Sequence, residues 1–255
     1  MKHAGKHIAQ LFKGRTVAAL SGILLILAGC NKENRFDFFK RTGAMVLQTR
    51  VVAPFTDIVV GNNKVNVYIT QDSVFDVKVQ AGEHLVDLVT TEVRDNKLYI
   101  ENRNTCNFMR SYKFPINVFI HMPRLWHIFH DGSGTIQSTN TLVGDTIDII
   151  TKSAGNVDLR VNCYRASTHM HSSADILLSG TCQDNICFAT GNGFLYSQEL
   201  ASGYCWVYGK TSGEIYVNVS GLLQVEVASI GDVYYRGNPA AVQEVHTGTG
   251  LLIAQ

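Results

Sequence analysis

Beyond residue 50 the chain alternates apolar and polar residues at period two in one short stretch after another. "TDIVVG", "KVNVYITQ", "FDVKVQAG", "NKLYIENR" and "INVFIHMP" either alternate in this way or run as β-branched clusters. That pattern predicts half-buried strands separated by tight turns. One segment, residues 84–93 ("HLVDLVTTEV"), fits a helical turn as well as a strand, and no other stretch beyond the first thirty residues carries a helical period.

The second half repeats itself. Small residues recur at Gly134, Gly155, Ala174, Gly193, Gly213, Gly231 and Gly250, at spacings of 18 to 21 residues. Two positions after each stands an aliphatic: Ile136, Val157, Ile176, Leu195, Ile215, Val233 and Leu252. A fixed period of this kind marks stacked structural units. A coil of about 19 residues at roughly 3.3 Å per residue has a perimeter near 60 Å, enough for two strands of about six residues and their corners. The expected fold is therefore all-β: a parallel β-solenoid, right-handed by analogy with other parallel crossovers, preceded by an N-terminal half of more irregular strands. In this reading the small residue turns a corner where a larger Cβ would obstruct the bend. The aliphatic two positions later fills the core, each contributing about 1.5–3 kcal/mol of burial.

The first thirty residues follow a different pattern. Lys2, Lys6, Lys13 and Arg15 precede an apolar run over residues 16–28, which is too short for a comfortable membrane span and reads as an export signal. It ends in Leu27-Ala28-Gly29-Cys30, which resembles a bacterial lipobox. The resemblance implies that residues 1–29 are removed and that Cys30 is lipidated, and two or more acyl chains make a stable anchor. Residues 30–44, rich in polar and charged side chains, read as a tether. Residues 45–255 then form a single β-solenoid domain. The expected location is the cell envelope, held to the outer membrane by lipid on its periplasmic or surface face.

Composition agrees with a globular chain: 45% of residues are hydrophobic and 17% charged. The net charge of +1 excludes the broad basic footprint of a non-specific nucleic-acid binder. Besides Cys30 there are Cys106, Cys163, Cys182, Cys187 and Cys205, an odd number for an oxidising compartment and without the CxxC spacing of a zinc site. Cys163 and Cys182 each lie eight residues after a small anchor. They are expected to stack as buried thiols, since in-register parallel neighbours are poorly angled for a disulfide.

From residue 51 to 239 the chain resembles the head GIN domain of auto-transporter adhesins, common in exported proteins and lipoproteins of Bacteroides-type bacteria. Phe55-Thr56-Asp57-Ile58, the strand "INVFIHMPRL" and the turn Gly132-Ser133-Gly134 carry the likeness. His127 and His130 before that turn, and the many cysteines, depart from it. The resemblance implies a β-helical, adhesin-like surface module and transfers no catalytic residues.

Candidate binding residues follow from the register. Tyr196, Tyr216 and Tyr234 stand three positions after their anchors and should face outward on successive coils. Phe188, Trp206 and Tyr208 should face outward on the other strand of the coil. Exposed rings of this kind suit sugars or protein partners, or else stack across rungs to stabilise the sheet. His127, His130, His169 and His171 do not make a metal site by spacing, because no further ligand is fixed beside them. No G-x-S-x-G elbow, P-loop or H-E-x-x-H motif occurs. Asp158, Asp175, Glu214 and Asp232 follow the anchors singly, as solvated turn residues do. No cofactor is called for. The reading is a lipid-anchored, non-catalytic, adhesin-like binder of glycan or protein. Two alternatives share the fold: a structural lipoprotein that pairs with a second copy along its solenoid edge, and a β-helical carbohydrate-active enzyme.

Overall fold

Among the described residues, nine strands occupy the N-terminal half: β1 (Met45–Arg50), β2 (Asp57–Val60), β3 (Asn66–Gln71), β4 (Asp76–Gly82), β5 (Val89–Arg94), β6 (Lys97–Asn102), β7 (Asn117–Met122), β8 (His127–His130) and β9 (Ile136–Ser138). Eight more complete the chain: β10 (Leu142–Thr151), β11 (Val157–Met170), β12 (Ile176–Gly191), β13 (Leu195–Thr211), β14 (Ile215–Val227), β15 (Val233–Arg236), β16 (Ala241–His246) and β17 (Leu252–Ala254). The computed structural model describes residues 43–61, 64–104 and 115–255. The expected signal peptide, Cys30, residues 31–42 of the expected tether and Cys106 lie outside these residues. The chain divides into two units, residues 1–41 with 104–112 and residues 42–103 with 113–255, and every strand among the described residues lies in the second. The ambiguous segment at 84–93 is both things in turn: a single 3-10 turn, Val86–Leu88, leading directly into β5.

The fold is the β-solenoid that the repeat predicts. Ile136, Val157, Ile176, Leu195, Ile215, Val233 and Leu252 are register partners one after another, forming one row through the interior. All but the last are fully buried. The coil differs from a two-strand rung in one respect. In β11 to β14 the backbone stays extended through the corner, so each coil is one strand of 13 to 17 residues. The inward phase slips there instead. In β11 residues 157, 159, 161 and 163 point inward, then 166, 168 and 170, with Tyr164 and Arg165 exposed at the slip. Unequal coil lengths are absorbed by bulges in the same region, between Leu177 and Ser179 and between Ser197 and Tyr204. Both ladders therefore keep register while the corner takes up the extra residues.

The anchor residues are small for a reason other than the bend. A Cβ on Gly193 would fall 2.0 Å from the Ala174 carbonyl oxygen, and one on Gly213 would fall 2.0 Å from that of Gly193. Neither backbone is left-handed. Glycine is required because consecutive coils pass within contact distance at this point.

The N-terminal strands stack out of chain order. β2 pairs in parallel with β6 on one side and β8 on the other, while β3 pairs with β7 and β9. The first coil made, β2–β3, thus lies between two later ones. The stack ends in antiparallel strands: β4 against β7, β1 against β4, and β5 against β6. β5 and β6 are joined by Asp95-Asn96, both at positive φ (50° and 60°), the two-residue turn that matches the twist of a hairpin. Among the described residues, β1 has β4 as its one partner at this end, and β5 has β6. At the other end β16 pairs only with β14, and β17 only with β15.

Candidate binding surfaces

Tyr196, Tyr216 and Tyr234 are register partners on β13, β14 and β15. All three are half-buried and face outward from the strand, with Ser197, Val217 and the aliphatic row on the inner side. Their rings stack at 5.5 and 4.8 Å between centroids, with interplanar angles of 18° and 10°, and Phe194 extends the pile against Tyr196 at 5.9 Å. The spacing is that of the strands themselves, so each ring spends its faces on its neighbours and presents its edge and hydroxyl to solvent. The Tyr216 hydroxyl donates to Glu214 Oε2 at 2.5 Å, and that of Tyr234 reaches Asp232 Oδ2 at 3.5 Å. The bond to Glu214 pushes the Tyr216 phenol up to about 12, helped by burial and the charge of the same carboxylate. Burial raises Tyr196 and Tyr234 as well. The face is thus a stiff comb of neutral phenols with carboxylates beside them.

Phe188 and Tyr208 are register partners on β12 and β13 and stack at 5.0 Å and 12°. Trp206 lies beside Tyr208 on its own strand, at 6.4 Å, and its cross-strand partners are Ile186 and Gln224. His169 and His171 continue the cluster against Phe188 at 6.0 and 5.6 Å. All six ring positions read from the sequence therefore face outward, in two separate groups on different segments of the coil.

The second group is the end of a longer row that period-counting misses. Following the register backwards from Tyr208 gives Phe188, His169, Ile150, Phe129, Val59 and Tyr99, each half-buried and outward-facing. Around Tyr99, Val59, Phe129 and Ile150 the surface sinks into a groove of about 400 Å³, lined also by Asp57, Lys97 and His127. Here rings alternate with aliphatics, so Tyr99 and Phe129 do not stack on each other. Arg94 instead lies 4.3 Å over the Tyr99 ring, and Lys152 Nζ lies 5.0 Å over that of Phe129. A signal existed in the sequence, since each of these residues alternates with buried neighbours, but nothing in the spacing brings the four together.

The histidines take separate roles. His127 and His130 project from opposite faces of β8. His127 Nδ1 meets Asp57 Oδ1 at 3.0 Å. His130 is buried; its Nε2 donates to the Gly134 carbonyl at 2.9 Å and its Nδ1 accepts from the Gly132 N–H at 3.4 Å. Burial pushes the His130 pKa down, against the opposing pull of the Gly134 bond and Asp131. Its function is to hold the Gly132-Ser133-Gly134 turn closed. Among the described residues no three histidine, cysteine or acidic side chains converge as metal ligands do. Cys163 and Cys182 are cross-strand partners, and with Cys187 and Cys205 they are buried free thiols. Burial raises Cys163 to about 11 and Cys182 to about 12.

Stacked parallel coils flanked at one end by antiparallel strands define a β-solenoid class, and the comparisons identify which. Residues 54–239 match the family described as "putative auto-transporter adhesin, head GIN domain", and the chain belongs to that family. The same fold occurs in a crystal structure of a "putative adhesin" from Bacteroides fragilis (24% identity, TM-score 0.78, covering 83% of this chain and 97% of that one). A "putative adhesin" from Parabacteroides merdae is similar over 84% of this chain and 98% of its own, at 17% identity and TM-score 0.66. A "putative lipid binding protein" from Parabacteroides distasonis covers 84% and 97%, at 19% identity and TM-score 0.63. No curated protein matches the chain.

Proposed function

We propose that this protein is a non-catalytic, adhesin-like binding module of the cell envelope, exported by its N-terminal signal and anchored to the outer membrane through lipid on Cys30. The observation that carries the binding role is the stacked row Tyr196–Tyr216–Tyr234, with its hydroxyls directed at Glu214 and Asp232. Rings locked by their neighbours lose little conformational freedom on contact, which favours a rigid docking face for a surface-borne partner, protein or glycan. Family membership supports the same reading. The neighbour described as lipid-binding shares the fold, but the outward rows here are bordered by carboxylates, which an acyl chain would leave desolvated and unpaired.

The test is adhesion of beads coated with the full chain to immobilised extracellular-matrix proteins and mucin glycans. Changing Tyr216 and Trp206 together to alanine should reduce retention several-fold. Equal retention of parent and variant, or no retention of either, refutes the role assigned to these rings. Metabolic labelling with a radioactive fatty acid should mark the parent and not Cys30→Ser.

A further inference from the structure

We infer that the groove over β6, β2, β8 and β10 is a saccharide-binding site, taking a short run of pyranose units laid across the strands. This deepens the adhesin-like reading and rests on it. The groove has the volume of a small-ligand site, about 400 Å³. Its floor is apolar but only one residue wide: Tyr99, Val59, Phe129 and Ile150, successive partners on four adjacent strands. Four strands about 4.8 Å apart give a platform of roughly 15 Å, the length of about three sugar units.

Polar groups border that strip on one side, two residues earlier on the same strands. Lys97, Asp57, His127 and Asp148 are successive register partners there. Asp57 is nearly buried, and its two side-chain hydrogen bonds, from Thr56 Oγ1 at 3.1 Å and with His127 Nδ1 at 3.0 Å, both fall on Oδ1. Oδ2 is left to accept a ligand hydroxyl. The His127 ring, held through Nδ1 by Asp57, presents Nε2 for a hydrogen bond with a ligand hydroxyl, which can both donate and accept. Asp148 Oδ1 is buried without a hydrogen-bond partner, with His169 Nε2 standing 3.6 Å away. Lys97, which also lines the groove, supplies a donor, and Lys152 stands over the Phe129 ring.

This arrangement selects among ligand chemistries. An acyl chain would cover the floor but strip water from Asp57, His127 and Asp148 without replacing it. An extended peptide adds to a sheet through backbone bonds at an edge, and this is a sheet face whose strands are already paired on both sides. A pyranose has an apolar ring face for the strip and a rim of hydroxyls, each able to donate and accept, for the row beside it. The tyrosines of the other surface have their faces filled by rings fixed on adjacent strands, whereas the faces of Tyr99 and Phe129 carry the ends of Arg94 and Lys152, long side chains that a sugar ring can displace.

The experiment is calorimetric titration of the detergent-solubilised full chain with xylo-, cello- and manno-oligosaccharides of increasing length. Affinity for at least one series should rise up to about three units and then level off. Phe129→Ala should weaken that binding by about tenfold, and Asp57→Asn should weaken it with the fold intact by circular dichroism. Phe129→Leu, which keeps an apolar side chain and loses the ring, should be intermediate, and Val242→Ala, an exposed change on β16, should bind as the parent does. If no series binds while beads still adhere, the groove assignment fails and the adhesin-like reading stands. Saccharide binding lost in Tyr216→Ala but kept in Phe129→Ala also overturns it, as does Phe129-dependent capture of a fluorescent fatty acid in place of sugars. Neither saccharide binding nor adhesion would remove both readings.

Discussion

Replacing Gly213 by alanine tests the claim that the repeat's small residue is fixed by coil-to-coil approach. The added Cβ would lie 2.0 Å from the Gly193 carbonyl oxygen, 2.7 Å from its carbon and 3.1 Å from the Asn192 oxygen. Real Cβ contacts begin at 3.0 Å, so two coils must separate by about 1 Å at this point. The obstructing atoms are backbone, held on both sides by the parallel ladder, and cannot rotate away as a side chain would. Overpacking of a core costs about 1–3 kcal/mol when side chains can adjust, and a clash against fixed backbone belongs at the upper end. For a domain of this size about 3 kcal/mol lowers the melting temperature by roughly 6–12 °C. Gly144→Ala is the matched control, since its Cβ would meet nothing nearer than the Leu125 oxygen at 3.9 Å. That variant should stay within about 0.5 kcal/mol of the parent. Thermal unfolding followed by far-ultraviolet circular dichroism reads both. Equal melting temperatures for the two variants would refute the close-approach argument and return the anchor to a matter of backbone bending.

Two further measurements address buried groups. Because the folded state lowers the His130 pKa below the ordinary 6.5, the unfolded chain takes up a proton first as pH falls. Stability from this group is full above about pH 6.5 and declines below it, so urea midpoints should drop between about pH 7.5 and 5.5. His130→Gln should shallow that slope, and an unchanged slope would contradict the assignment. Cys163 and Cys182, raised to about 11 and 12, hold at most about one thiolate in a thousand at pH 8. In a Cys30→Ser, Cys106→Ser chain a thiol-specific reagent should react slowly with the native protein and quickly with four thiols once it is unfolded. Fast native labelling would count against burial.

The C-terminal coils were legible because each is the sequence neighbour of the coil it packs on. Pairings such as Val157 with Ile176, or Tyr196 with Tyr216, repeat the spacing of the anchors, so a period in the sequence is a row in space. The role of the anchor was less legible. Glycine suits a bend and a close approach equally well, and only the 2.0 Å approach to a neighbouring carbonyl separates them. The continuous strand through each corner was hidden for a related reason: two exposed residues in a row, such as Tyr164 and Arg165, break the alternation as a turn would, although the backbone there stays extended. The groove was not legible at all. Tyr99, Val59 and Phe129 are adjacent in the sheet, but their separations in sequence follow no period, and β2 sits between strands made later.

That inverted order has a bearing on how the molecule is made. In vectorial synthesis, β2 and β3 emerge before either of the coils that will flank them. Asp57 waits for Lys97 and His127, whereas Ile176 needs only Leu195. Closing a longer loop costs more entropy and slows assembly. The coils synthesised last are therefore the quickest to zip together, and β2 and β3, made early, are among the last to be sealed.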